Sequence, residues 1–546
     1  MKIIAIIPAR GGSKGIPRKN IRLMNGKPLI SYPIECAQKS RYDLEVVVST
    51  DDNEIKQIAL QYGALVVERP KELAGDAITL DPVISHAVEF IENESGYTYD
   101  IVITMQPTSP LLTTKTLDLA IDYIIKNGLD TVISGVNDPR LSWRFEGEKY
   151  VPNYKERLNR QYMPKELKET GAFVISKREY VTSDGRFGKN VSLFELPESE
   201  SGDIDTPQDW WIAEMEMNKK VILIRTAGYK EIGMGHIYRG LQIASSFIEH
   251  EVRFVLDEKS DIGLQKIKNS HYKYDVIKKD YDLFDIVRKY NADIVINDIL
   301  NTSEDYIEKL KGTGVRVINF EDLGEGASKA DATINALYKM PENGFDGNVY
   351  WGTDFYLIRD EFLLTNPREF SQQVKEILIV FGGTDPNHLT LKTLEAISDI
   401  KTYNRFHVTI ILGMGCDDYE EMLEILKASD LNIDFLRDVS NMAEYMQKAD
   451  LAISSQGRTM LELASLGVPT VLMAQNKREI THEFGGIKNG FLNLGLGVDT
   501  EKETIKQTIR WLIDCPQIRK NMHEEMLQTD LHNGMKRVKK IILGEE

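Results

Sequence analysis

IIAIIPARGGSKGIPRKN, residues 3–20, is a buried strand that runs directly into a basic, glycine-bent loop. The β-branched run from Ile3 to Ile7 needs cover on both faces, as a strand inside a parallel sheet does. Pro8 ends the ladder, and Gly11 and Gly12 let the backbone approach a ligand closely. Arg10, Ser13, Lys14, Arg18 and Lys19 bring donors and positive charge into the same loop. Such a loop can cradle phosphate. Its spacing is neither the GxxxxGK[ST] of a P-loop nor the GxGxxG of a dinucleotide fold, which disfavours both mechanisms. A basic strand-to-helix turn facing water is the alternative reading.

At 546 residues the chain exceeds what one hydrophobic core supports, so two or three domains are expected. A hydrophobic share of 42% beside 28% charge is that of a soluble globular protein. The formal charge of −17 argues against nucleic acid and against an anionic membrane as partners, because both require a basic face. An anionic nucleotide can still bind a locally basic loop such as 10–19. Cys36, Cys416 and Cys515 form no CxxC and fit free thiols in a reducing compartment. The first residues read as neither signal peptide nor anchor, and no apolar run reaches a membrane span, so a cytoplasmic protein is expected.

Strand patterns near 44–50, 100–106 and 130–136 alternate with helical patterns near 28–39, 52–62, 79–92 and 114–127. That alternation predicts an α/β fold, a doubly wound and mostly parallel sheet whose ligands bind beyond the carboxyl ends of the strands. The basic loop, Ser49 to Asp52 and Gln106 to Ser109 all fall at such ends. Transfer of a nucleotidyl group needs neutralised phosphates, an in-line nucleophile and a metal. Arg10, Ser13, Lys14 and Lys19 can supply the first. Asp203 and Asp205, two apart on an extended segment, share a face and suit Mg2+. Read alone, DID before Thr206-Pro207 is more readily a helix N-cap, with Asp205 or Thr206 capping the helix from Pro207.

Four blocks, IPARGGSKGIPRKN, VVVSTDD at 46–52, QPTSPLL at 106–112 and DIDTPQD at 203–209, occur in an order that resembles the CMP-sialic acid synthetase (acylneuraminate cytidylyltransferase) family over residues 1–218. The resemblance implies the metal role for Asp203 and Asp205 and CTP as substrate. It implies triphosphate and ribose contacts for Arg10, Ser13, Lys14, Lys19 and Asn20, a nucleotide contact for Arg69 and a sugar-acid contact for Gln106. It places Arg160 and Gln161 at the family's RQ pair, with Arg160 as a carboxylate clamp, and Phe187 near the acyl group. It also implies a dimerisation lobe near 142–196 and hence a homodimer. The family's NGA is Thr170-Gly171-Ala172 here, the arginine after QPTSPL is Leu112, a usual tyrosine is Val174, and no lysine stands near 142–144. Those departures favour a less polar nonulosonic acid over N-acetylneuraminate; the related CMP-Kdo synthetase is the rival.

After Asn218-Lys219-Lys220 a new buried strand starts at Val221, and two further sets of strand patterns follow. They predict two Rossmann-like units, 221–368 and 374–546, with a cleft between them. The first carries IGMGH, which puts His236 at a helix start where it can orient water, although a lone histidine is more often structural. The second carries FGGTDP, where Gly382, Gly383 and Thr384 could meet a pyrophosphate. It also carries SSQGRTMLELASLGVPTVL, where Gly457 frees a turn and Glu462 could accept from ribose hydroxyls. The arrangement resembles two-Rossmann (GT-B) glycosyltransferases and, more closely, the UDP-sugar hydrolase of the pseudaminic acid pathway. That resemblance implies His236 as the water-activating residue and Gly457, Glu462 and Asn476 at UDP. The usual Asp of its RxDxG pattern is Ala227, and its Asn-Gln is Asn476-Lys477. If that Asp supports the histidine, hydrolysis would be weak or the substrate different; His482, six residues past Asn476 on an expected helix, is a candidate substitute, although an exposed helical histidine is the commoner reading. The whole chain then reads as two enzymes of nonulosonic acid synthesis, with a glycosyltransferase or a silent nucleotide-sugar scaffold as alternatives for the second half.

Overall fold

The computed structural model describes the chain apart from residues 230–231, 384, 401–405, 414–417, 429–431, 438, 440 and 546. Thr384 and Cys416 lie outside the described residues. The chain divides into two compact units, Met1–Lys219 and Lys220–Glu546.

Unit one is built on a seven-stranded sheet. In chain order its strands are β1 (Ile3–Pro8), β2 (Leu44–Thr50), β3 (Leu65–Glu68), β4 (Ile101–Thr104), β5 (Thr131–Asn137), β6 (Leu167–Lys177) and β7 (Val191–Glu195). They are ordered β7-β5-β6-β4-β1-β2-β3, and only β6 runs antiparallel to its neighbours. Ile3 to Ile7 are buried, as a strand covered on both faces requires. The strand order reverses at β1, so the loop that leaves Pro8 opens at the topological switch point, where such sheets bind ligands.

The lobe expected at 142–196 is smaller than the sequence suggested. Only the hairpin Trp143–Glu146 with Lys149–Pro152 and the exposed segment up to residue 166 project from the unit. The apolar run Ala172-Phe173 with Ile175 instead places β6 between β4 and β5, inside the core.

Unit two holds two parallel sheets. The first contains β8 (Val221–Thr226), β9 (Glu251–Asp257), β10 (Lys273–Ile277), β11 (Ile294–Asp298), β12 (Arg316–Phe320), β13 (Ala332–Asn335) and β14 (Val349–Trp351), ordered β10-β9-β8-β11-β12-β13-β14. The second contains β15 (Glu376–Val380), β16 (His407–Leu412), β17 (Asn432–Arg437), β18 (Leu451–Ser454), β19 (Thr470–Ala474) and β20 (Phe491–Leu496), ordered β17-β16-β15-β18-β19-β20. Their switch points fall between β8 and β11 and between β15 and β18. The motif loops after β8, β15 and β18 leave from these two places.

The last helix, Gly534–Leu543, crosses back: Val538 and Ile542 are buried in the core of the first sheet with Ile222 and Ile294. The boundary read from sequence, 374–546, leaves it with the second half. An amphipathic helix at the chain's end carries no local signal of which sheet it covers. Among the described residues no helix is long and apolar enough to cross a membrane.

Candidate functional site

Two sites emerge, one in each unit. In unit one the loop after β1 meets the DID segment 185 residues later in the chain. Lys19 Nζ donates to Ile204 O at 2.6 Å and lies 3.2 Å from Asp205 Oδ1. Gly15 lies against the same segment, since a Cβ there would stand 2.3 Å from Asp205 O. The capping reading of DID-TP holds at Thr206 and not at Asp205. Thr206 caps the helix Pro207–Met217, and Asp209 returns a bond to the Thr206 N–H in a capping box, so Asp205 is left to reach Lys19.

Asp203 lies two residues before Asp205 on the same segment, and desolvation there pushes its carboxyl above the usual carboxylate range. Its Oδ2 and the Gln106 amide both stand 3.2–3.3 Å from where a Cβ on Gly171 would be, so the glycine lets these two groups converge on β6 without either being pushed aside. Thr108 Oγ1 is buried with no hydrogen-bond partner. Among the described residues no group of three or more His, Cys, Asp or Glu could hold a metal by itself. The donor set of Asp203 and Asp205 fits a cation that keeps waters and takes its other ligands from phosphate, as Mg2+ does.

The remaining cations of the loop are closed on carboxylates. Asp76 receives Arg10 Nη1 at 2.8 Å and Lys14 Nζ at 2.6 Å on its two oxygens. Arg18, at a left-handed φ of 58°, pairs with Asp52 at 2.7 Å and Glu54 at 2.6 Å. The Gly11 N–H donates to Asp51. Asn20 is buried and donates to Arg10 O, and Ser13 N reaches back to Gly11 O. Arg69 is buried under the loop with its guanidinium on Ser49 O at 2.8 Å.

Arg160 stands on an exposed 3-10 turn, 3.6 Å from Asp138 and 3.8 Å from Glu198, beside the exposed Gln161. Phe187 is not brought to this cluster. The backbone around it is bonded to Thr131, where β5 begins, whereas the basic loop lies where β1 stops.

In unit two His236 opens the helix Gly235–Ser245 and its Nδ1 stands 2.5 Å from Asp298 Oδ1 at the end of β11. A carboxylate only accepts, so Nδ1 carries the proton and Nε2 presents its lone pair. Arg239, one turn further along the helix, forks onto both oxygens of Asp298, with Nε to Oδ2 at 2.7 Å. Burial opposes charge at Asp298, yet Arg239 and His236 outweigh it and hold the carboxyl well below the usual range. Ala227 therefore does not leave His236 without a carboxylate partner, since Asp298 stands against it. His482 is no substitute: it is buried with Nδ1 2.6 Å from Gln456 O, and burial lowers its pKa to about 4. Its expected exposure on a helix is overturned by the ring's packing edge-on against Tyr338.

In the second half Gly382 adopts a φ of 89°, which favours glycine, directly after β15. Gly383 O lies against Gly413, where a Cβ would stand 2.2 Å away. Gly457, after β18, faces Glu479. Glu462 is buried and its Oε1 accepts from Arg359 Nε at 2.8 Å. Asn476 caps the helix Lys477–Ile480 by accepting the N–H groups of Arg478 and Glu479.

Sequence reasoning missed Asp76, Gly171, Asp298 and Arg239. The signal for Asp298 was present: a carboxylate closing the apolar run IVIND is expensive to bury without a partner.

Comparison with known proteins follows this division. Residues 4–161 match the family model described as Cytidylyltransferase, and residues 377–484 match Glycosyltransferase family 28 C-terminal domain. The chain is 37% identical over 229 residues to pseudaminic acid cytidylyltransferase of Campylobacter jejuni, which covers 39% of this chain and 96% of that protein. It is 36% identical over 224 residues to N-acylneuraminate cytidylyltransferase A of Danio rerio, covering 39% of this chain and 50% of that protein. A Helicobacter pylori protein described as pseudaminic acid cytidylyltransferase and UDP-2,4-diacetamido-2,4,6-trideoxy-beta-L-altropyranose hydrolase is 26% identical over 542 residues, 95% of this chain and 96% of that one. The chain spans about half the length of the first curated relatives it matches.

Proposed function

The chain belongs, through its first unit, to the cytidylyltransferase family, and from that premise we propose that it makes a CMP-nonulosonate from CTP and a pseudaminic- or legionaminic-type acid. The observation that carries this reading is the meeting of Lys19 with Asp205, two residues from Asp203 on the same segment. The anomeric hydroxyl of the sugar acid attacks the α-phosphorus of CTP, the bond to the β-phosphate breaks, and pyrophosphate leaves with that electron pair. Arg10, Lys14 and Lys19 bind the phosphate oxygens on which charge develops, Ser13 and Asn20 hold triphosphate and ribose, and Arg69 steadies the loop from below. Gln106 and Gln161 orient the sugar acid, and Arg160 clamps its carboxylate. Mg2+ held by Asp203 and Asp205 would supply charge neutralisation at the phosphates. The exposed Trp143, Phe145 and Tyr150 of the hairpin favour a homodimer through unit one. A cytoplasmic location agrees with the substrates, CTP and a nucleotide sugar.

For unit two the reading is a UDP-sugar hydrolase releasing UDP from a 2,4-diacetamido-trideoxy hexose. His236, with Nε2 free and Nδ1 held by Asp298, takes the proton of the water that attacks the anomeric carbon as UDP departs. Gly382, Gly383, Gly457 and Asn476 line the nucleotide side. The match of residues 377–484 to a glycosyltransferase domain supports a second reading, transfer to a sugar acceptor. One experiment addresses both units: the purified chain is given CTP, Mg2+ and a panel of 5,7-diacylamino nonulosonic acids, and separately the UDP-sugar alone. Pyrophosphate with a CMP-sugar mass, and UDP released without acceptor, are expected. No pyrophosphate with any acid would overturn the first assignment, and acceptor-dependent UDP release the second.

A further inference from the structure

His236 and its partners lie on the first sheet of unit two, whereas the helix Lys477–Ile480 follows β19 of the second. Arg478 of that helix crosses to the first half with its whole guanidinium. Nε donates to Tyr338 Oη at 2.7 Å, Nη1 to Asn301 Oδ1 at 3.0 Å and Nη2 to the carbonyl of Glu321 at 2.5 Å. These three acceptors follow β13, β11 and β12, so one side chain reads the positions of three strand ends.

Glu321 is the unusual member. It holds a left-handed φ of 51°, which a residue with a Cβ adopts only when its surroundings impose it. Its carboxylate is buried and faces Arg239 Nη1 at 3.2 Å, and its Oε2 has no partner. Arg239 in turn grips Asp298, which holds His236. The contacts form one unbroken chain: Arg478, Glu321, Arg239, Asp298, His236.

We propose that Arg478 is a positioning residue through which the nucleotide-binding half sets the orientation of His236 in the other half. The inference rests on the reading of His236 as the group that activates water. Asn476 caps the helix that bears Arg478, so a nucleotide seated beside Asn476 fixes Arg478 as well. Arg478 then holds the strained Glu321 backbone, Glu321 holds Arg239 against its second partner, and Arg239 fixes the carboxylate that aims Nε2. Without Arg478 the strained backbone relaxes and Arg239 keeps only Asp298. The device ties water activation to an occupied nucleotide side.

The test uses the full chain with Arg478→Met, Arg478→Lys, Glu321→Gln and the Arg478→Met/Glu321→Gln double variant. Steady-state UDP release from the UDP-sugar, UDP binding by calorimetry, and the 15N shifts of His236 in selectively labelled, ligand-free protein are measured. Arg478→Met is expected to lower kcat about tenfold or more while KM and the UDP Kd change less than twofold. Arg478→Lys should recover part of the loss, the double variant should be no slower than the slower single, and the His236 shifts should move. Unchanged kcat, a UDP Kd that rises in step with lost kcat/KM, or multiplicative losses in the double variant would each overturn it. If the wild-type chain itself releases no UDP, the hydrolase reading fails. The inference is then decided by the shifts alone, supported if Arg478→Met moves them and overturned if it does not.

Discussion

Lys19 and Asp205, 186 residues apart in the chain, stand 3.2 Å from one another, and Lys19 Nζ also takes the carbonyl next door at Ile204. This pairing joins the basic loop to the acidic segment that also carries Asp203.

Asp203 therefore allows a test that separates chemistry from folding. Partial desolvation holds its carboxyl above the usual range although the residue is exposed, so a neutral isostere removes that cost. Asp203→Asn is expected to abolish pyrophosphate release from CTP, by about a hundredfold or more, while the melting temperature stays level or rises slightly. Calorimetry beside a pyrophosphate assay checks both halves of the statement.

Asp76 presents the opposite case, a residue whose loss should help. Its two oxygens occupy Arg10 and Lys14, the groups assigned to phosphate, and those two cations hold its carboxyl below the usual range. On the proposed reading, CTP binding requires that carboxylate to be displaced. Asp76→Asn should lower the KM for CTP several-fold with little change in kcat. A raised KM would show that Asp76 contributes to binding instead.

Asp298 is expected to govern unit two. Asp298→Asn can donate to Nδ1 and so favours the wrong tautomer, with the proton on Nε2. UDP release should fall by about a hundredfold or more at neutral pH, with KM little changed. His236→Gln should fall as far, and the double variant no further, because the two act as one unit. Additive losses would separate their roles.

Much of this was legible in the sequence because it is local. The run Ile3 to Ile7, the Gly pair and the basic residues after it announce strand, turn and phosphate loop from neighbouring residues alone. What escaped depends on contacts distant in the chain. β6 reads as part of a projecting lobe until Ala172 and Phe173 are seen filling the core between β4 and β5. Ala227 suggested a crippled histidine, since nothing in the spacing says that β11 lies beside β8 and brings Asp298 to His236. Gly171 stood in the sequence only as the matching glycine of a motif in which Thr170 departs. Its role, clearance for Gln106 and Asp203, exists only once three segments meet.

Glu479 gives unit two a pH dependence whose sign can be derived. The carboxyl is half-buried behind Gly457, accepts the Gln475 N–H at 2.8 Å, and burial raises its pKa to about 7. An unfolded glutamate ionises near 4.3. The folded state thus keeps a proton that the unfolded state has lost across the window from about 4.3 to about 7. Stability contributed by this group is fully present below that window and declines as pH rises through it, by up to about 3 kcal/mol. His482 acts in the reverse sense. Its folded pKa of about 4 lies below the usual 6.5, so the unfolded state binds the extra proton and stability falls as pH drops from 6.5 toward 4. Between about pH 4.5 and 6.5 the two slopes oppose each other, which hides both in the wild-type chain. Glu479→Gln uncovers them: the glutamine imitates the protonated acid, keeps an oxygen for the Gln475 N–H, and should melt several degrees above wild type at pH 8 and level with it at pH 4. It should also show an acid-side decline from pH 6.5 that His482→Phe removes. Equal melting of Glu479→Gln and wild type at pH 8 would mean that Glu479 is ionised in the folded chain.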